Sequence, residues 1–285
     1  MHIHPHQVEV AHGTVTRSFL ALGAGEAVAR VVAFGTTLVI AHRLGPAFLG
    51  VVLFSVAVLL YLSRLVDAGF DLGIGIREAA VRRDGLAEFT APVLLFRLAI
   101  AAVVIVGAGG AALLFLPSPE GRMVALYTLT LVPVALSTRW VLTGLDRTPM
   151  VGVSRAVGEA VVLLAVVVAV GGADDIWRVP VAQFLGDGLA AYLLLWTLRR
   201  SGFAVVLRWR GDVIRPLARH VAPYVASTYL GLVVFNADLL FLWAFRDVTV
   251  VCLYAAAYAL VSFLINLGET YALALLPALS RLASQ

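Results

Sequence analysis

The chain has 285 residues, 61% of them apolar and only 13% charged, with a mean hydropathy of +0.98; a soluble domain is about 45–50% apolar and about 25% charged. So little polar side chain cannot cover a water-exposed globule, which excludes a soluble enzyme and leaves lipid as the surface the excess faces. The net charge of +4, carried on 21 basic residues that are all arginine, is too small for a nucleic-acid partner, and no basic tract is interleaved with aromatics.

Met1 to Thr16 is polar with four histidines. It has no charged start, apolar h-region or small-residue cleavage site, so it reads as a cytoplasmic tail over 1–17 and not as a signal peptide. His2, His4 and His6 belong to that tail more readily than to a metal site. Apolar stretches long enough to cross a bilayer, about 20 residues each, then follow at 18–41, 47–68, 89–116, 123–144, 151–171, 176–198, 220–245 and 249–277. Turn residues separate them: Leu44-Gly45-Pro46, Asp84-Gly85, Pro117 to Gly121, Asp146 to Pro149, and Gly171 to Asp175. The expected fold class is an all-α polytopic membrane protein of about eight transmembrane helices. Cys252, the single cysteine, lies in an apolar run and reads as packing.

Arginines set the expected orientation, because positive loops stay in the cytoplasm. With the N-terminus inside, twelve arginines fall on inner segments and four on outer loops, one of which also carries Asp174-Asp175. The longest break, Leu198 to Arg219, mixes six arginines with apolar residues such as Phe203, Leu207 and Trp209. It reads either as an amphipathic segment on the inner membrane surface or as a plain positive loop. In both cases it divides a six-helix block, 18–198, from a remainder, 220–285, with 199–219 as linker.

Five arginines remain inside the spans: Arg30, Arg64, Arg97, Arg139 and Arg155. A charge at the bilayer centre costs about 2.5–3.5 kcal/mol on insertion scales, so such residues face a bundle interior or a watery cavity. Gly23, Glu26, Arg30, Ala33 and Thr37 form a small, polar seam at helical spacing on the first span. Gly152, Arg155 and Glu159 repeat it on the fifth, and Arg64, Asp67 and Asp71 line the second. Any single pair is also explained by ion pairing that fixes helix packing. The set as a whole points to a hydrated cationic cavity, with Arg30, Arg64, Arg97 and Arg155 as candidate ligands for an anion. Glu26, Asp67, Glu159, Asp238 and Glu269 are candidates for ion coupling or ion pairing, and Asp187, Asn236 and Asn266 are further polar groups within spans. Pro92, Pro133, Pro223 and Pro277 are candidate hinges. No catalytic or metal-ligand spacing is present, so no enzyme, metal or cofactor is expected.

The stretch Ala41-His42-Arg43-Leu44-Gly45-Pro46-Ala47-Phe48-Leu49-Gly50 resembles the first turn of polysaccharide flippases of the multidrug/oligosaccharidyl-lipid/polysaccharide exporter superfamily. Asp67-Ala68-Gly69 followed by Arg77-Glu78 resembles a second motif. Asn236-Ala237-Asp238, then Leu276-Pro277-Ala278-Leu279-Ser280-Arg281, is similar to the seventh and eighth helices. The resemblance implies a first six-helix lobe followed by the first two helices of a second, in a transporter working by alternating access in the bacterial inner membrane. It implies a substrate, undecaprenyl-pyrophosphate-linked oligosaccharide, moved from the cytoplasmic to the outer leaflet for O-antigen, capsule or exopolysaccharide synthesis, and as partners the membrane lipids and polysaccharide polymerase or chain-length machinery. Members of that family have about twelve to fourteen helices, so a chain ending after the eighth reads as C-terminally truncated. Three alternatives stand beside the flippase: an efflux carrier for cationic drugs, which should have an acid-dominated cavity; a membrane glycosyltransferase or polymerase, which should have an acidic or large outer loop; and a purely structural membrane subunit, which would leave the buried charges without purpose.

Overall fold

The computed structural model describes residues 5–71, 74–81 and 85–203, with side chains from Leu20 onward, and isolated positions between 211 and 261. The expected linker and the seventh and eighth spans, with Asn236, Asp238, Asn266 and Glu269, lie outside the described residues. All regular structure among the described residues is helical. The first helical stretch, Pro5–Asp67, is broken at Gly45, where φ is 77° and ψ 173°. That backbone region is essentially restricted to glycine, and Pro46, with its fixed φ and missing N–H, is suited to begin the next helix. We number the halves α1 (5–44) and α2 (46–67).

They fold back on each other. Ala33, Thr37 and Ile40 share one cavity wall with Leu49, Leu53, Leu60 and Ser63, whereas 30 residues of straight helix would hold Ala33 about 45 Å from Ser63. A short helix, α3 (Ile74–Val81), follows; it carries Arg77 and Glu78 and is a segment the sequence pattern had left between spans. Four longer helices complete the described body: α4 (Leu86–Phe115), α5 (Glu120–Gly144), α6 (Thr148–Ala169) and α7 (Arg178–Arg200). Each is long and apolar enough to cross a membrane. They fall where the third to sixth apolar stretches place them, to within a few residues.

Two of these spans are irregular. α4 contains a π-helical turn, Ile105–Gly109. α5 is interrupted at Leu129–Thr130 and at Ser137–Thr138, on either side of Pro133, which brings no N–H to the ladder. Carbonyls beside the first interruption accept side-chain hydroxyls, at Tyr127 in addition to the Thr130 N–H. The hydroxyls of Thr128 and Thr130 donate to the Ala125 and Tyr127 carbonyls, both at 2.7 Å.

Close backbone contact sets how the helices pack. Gly25 of α1 lies directly against Gly152 of α6, and Gly158 of α6 against Gly186 of α7; a Cβ added at Gly25 or Gly186 would overlap the facing backbone. Small residues permit this approach where lipid gives no hydrophobic drive for association. α1 and α6 run parallel, since Arg43 at the far end of α1 donates to the Val167 and Val170 carbonyls at the far end of α6, at 2.6 and 2.5 Å. These last-turn carbonyls have no intrahelical donor, and a cation suits their negative dipole end.

The apolar interior gathers at both ends of the bundle. One cluster joins Ile40, Leu44, Leu49 and Val52 to Met123, Tyr127, Val166 and Val179. The other joins Phe70, Phe89 and Trp140 to Val151, Leu194 and Leu198. Val106, Leu114, Phe115, Leu164, Val168 and Leu185 are exposed on the outside, as a lipid-facing surface requires. Most of the embedded charge sits inside.

Candidate functional site

Three ionic groupings lie within the spans. The first joins Arg97 of α4 to Asp67 at the end of α2, at 3.2 Å. Arg97 is fully buried, and its guanidinium also donates to the Ser137 and Val134 carbonyls at 3.0 and 2.8 Å. Ser137 lies in the second interruption of α5 and Val134 just before it, so Arg97 adds donors at the break, beside the Ser137 N–H that also reaches the Val134 carbonyl. Asp67 in turn accepts from the Asp71 N–H at 3.2 Å, which fixes the turn containing Ala68 and Gly69, both at positive φ.

The second grouping pairs Arg139, on the last segment of α5, with Glu26 of α1 at 2.9 Å. The third is on α6 and α7. Arg155 contacts Glu159, one turn along α6, at 2.7 Å, and Asp187 of α7 at 3.6 Å. Gln183, one turn before Asp187, donates to its other oxygen at 3.0 Å.

The third grouping separates two cavities. The larger, about 350 Å³, lies among α1, α2, α5, α6 and α7; its wall is mainly aliphatic, with Thr36, Thr37, Ser63, Tyr127, Glu159 and Gln183 as polar members. The smaller, about 150 Å³, is lined by Asp71, Ser137, Arg139 and Ser154 among others. Val134, Arg155 and Asp187 line both. Arg155 keeps 46% of its side chain exposed. It is an arginine inside a membrane body, paired with carboxylates and reachable from two chambers.

A family model described as polysaccharide biosynthesis protein matches residues 15–283. The chain belongs to that family. It is the flippase family of the multidrug/oligosaccharidyl-lipid/polysaccharide exporter superfamily, and the chain is accordingly a polysaccharide-related, multi-pass membrane flippase or transporter. No curated protein sequence matches it.

The structure distributes this flippase's expected site residues unevenly. Arg155 and Glu159 meet on the larger cavity, while Arg97 and Asp67 form a separate buried pair. Glu26 is joined to Arg139, which lines the smaller chamber. Arg30 and Arg64 line neither cavity among the described residues; Arg30 has a buried Nη1 without a hydrogen-bond partner, and Arg64 sits one turn before Asp67. The two cavity walls carry Arg139 and Arg155 against Asp71, Glu159 and Asp187, so on the described residues they are not cationic in sum. Sequence reading missed Gln183 and Tyr127 and left Asp187 without a partner. The four-residue spacing of Gln183 and Asp187 was a usable signal, since it puts both on one helix face. Nothing marked Tyr127 apart from the seven other tyrosines.

Proposed function

We propose that this flippase carries an undecaprenyl-pyrophosphate-linked oligosaccharide from the cytoplasmic to the outer leaflet by alternating access, and that it is not an enzyme. The observation that supports this reading is Arg155, standing between the two chambers with its side chain partly exposed. An arginine offers a planar fork of donors matched to phosphate oxygens. Alternating access requires a binding group near mid-membrane that faces each side in turn, and a side chain shared by two cavities meets that need. Arg30 lines neither chamber, so in this reading Arg155 carries the anion. Arg97 holds the end of α2 and the break in α5 instead of meeting the substrate, and Arg64 lines neither chamber.

The membrane is the inner membrane, with the N-terminus in the cytoplasm. Arg147, Arg199 and Arg200 lie together at one end of the bundle, where Arg147 bonds Ser201. Asp174 and Asp175 lie at the other end. This separation supports the orientation expected from retained positive loops.

The test is translocation in proteoliposomes containing the full chain and a lipid-linked oligosaccharide, read by the glycan's accessibility to an added glycosidase. A charge-assisted hydrogen bond contributes about 1.5–3 kcal/mol, so Arg155→Gln should slow translocation roughly ten- to hundredfold. An unchanged rate would remove Arg155 from the site, and no translocation by the unaltered chain would overturn the substrate.

A further inference from the structure

The exposed face of α7 changes character along its length. Val181 and Leu185, then Tyr192 and Trp196, then Arg200 recur at helical spacing and are all exposed, so one stripe passes from aliphatic to aromatic to cationic. A helix meets its surroundings in that order on leaving hydrocarbon for the interface, where tyrosine and tryptophan sit at the level of the headgroups. The stripe therefore puts Arg200 among the headgroups.

The Arg200 guanidinium lies over the Trp196 ring, 4.1 Å from its centroid, and the indole holds the cation in place. Arg199 is exposed beside it. Arg147, from the turn before α6, donates to Ser201 at 2.5 Å, so two separate elements bring three guanidinium groups to one end of the bundle. Arg199 and Arg200 are not consumed in capping α7: its Thr197 and Leu198 carbonyls accept from the Ser201 N–H, and the Arg199 carbonyl accepts from the Gly202 N–H. Among the described residues no carboxylate pairs with any of the three, although Asp146 is exposed at the same end.

The opposite end is different. There Arg178 pairs with Asp175 at 3.0 Å and donates to the Ala169 carbonyl, Arg43 is held by the α6 carbonyls, and Arg122 is exposed without a neighbouring guanidinium in contact.

We propose that Arg147, Arg199 and Arg200 bind the phosphate of an anionic phospholipid of the surrounding bilayer, with Trp196 against the upper part of its chains. Three guanidinium groups offer donors only, in the planar fork that suits phosphate oxygens. A choline group would seek the face of an indole, and at Trp196 it meets Arg200 instead. A headgroup held by Arg147 and Arg200 together bridges the start of α6 and the end of α7, reinforcing the bond that Ser201 already makes. The site needs a bilayer around the bundle and is independent of what the protein carries.

The experiment places the full chain in phosphatidylcholine vesicles with a minor fraction of either phosphatidylglycerol or phosphatidylcholine brominated high on its chains. Quenching of Trp196 is read as the difference between the parent chain and Trp196→Phe. Brominated phosphatidylglycerol should quench Trp196 several-fold more than the same fraction of brominated phosphatidylcholine. That excess should shrink in Arg200→Gln and in Arg147→Gln, and vanish when Arg147→Gln, Arg199→Gln and Arg200→Gln are combined. All three side chains are exposed, so the melting temperature in detergent should not fall. Arg122→Gln, at the opposite end, should keep the excess in full. Equal quenching by the two lipids in the unaltered chain overturns the proposal, and so does an excess that survives the triple change, which would place the lipid on other arginines. Inorganic pyrophosphate, compared with sodium chloride at the same ionic strength, separates the sources of phosphate: an excess that persists supports a bilayer lipid, and one lost to pyrophosphate alone reassigns the arginines to a soluble phosphate and overturns the assignment.

Discussion

Arg97 and Arg155 are both arginines in apolar spans, and nothing in their local sequence separates them. Their environments do. Arg97 has no exposure and gives its two Nη groups to Asp67 and to two carbonyls of α5, whereas Arg155 is partly exposed and lines two chambers. Removing one partner of a buried ion pair leaves the other uncompensated, at a cost of about 3–5 kcal/mol. Arg97→Met should therefore lower thermal stability in detergent sharply, with Asp67→Asn and Arg97→Met together costing less than Arg97→Met alone. Arg155→Gln should change melting far less than it changes transport. Equal melting of Arg97→Met and the parent chain would contradict this division. The sequence makes both residues conspicuous as charges in lipid, but Asp67 and Arg97 are 30 positions apart on helices whose packing no local pattern specifies.

At the scale of helices, α6 touches two neighbours backbone to backbone, through Gly152 toward α1 and Gly158 toward α7. Gly152 stood out beforehand because it shares a face with Arg155 and Glu159. Gly25 did not, lying off the polar seam of α1. A methyl group forced between tightly packed backbones costs about 1–3 kcal/mol, so Gly25→Ala and Gly186→Ala should each reduce melting temperature measurably. Gly107→Ala faces open space and should not; a comparable loss there would show that the cost is not one of packing. Helix positions were legible because about 20 apolar residues between turn signals leave few alternatives. The breaks in α5 were less so: Pro133 marks the region, but the hydroxyl and guanidinium groups that make the interruptions tolerable come from elsewhere in the fold.

Across the whole molecule, the first six apolar stretches and the fold-back at Gly45-Pro46 were readable from hydropathy and punctuation. The balance of charge around the cavities was not, because counting arginines ignores the carboxylates that three-dimensional packing brings to them. Among the described residues of the bundle interior, the five arginines are matched in number by Glu26, Asp67, Asp71, Glu159 and Asp187, so that set is neutral in sum and uneven only locally. The gathering of Arg147, Arg199 and Arg200 at one end gives a direct test of orientation. With Cys252→Ser as background, Asp174→Cys should react with a membrane-impermeant maleimide on intact cells and Arg199→Cys should not. The opposite pattern would invert the protein in the membrane.

The wide turn at Ile105–Gly109 bears on how the gene tolerates length change. A π turn holds about one residue more than an α turn, because its hydrogen bonds reach one position further. In any regular span, losing a single codon rotates everything beyond it by about 100°, which follows from 3.6 residues per turn, and carries lipid-facing side chains into the interior. Within this stretch the same loss is absorbed by tightening the turn. Deleting Gly107 should therefore leave a folded, membrane-inserted protein with the same circular-dichroism helix content, while deleting Val162, deep in regular α6, should abolish folding; failure of both deletions would mean the extra residue has no slack to give.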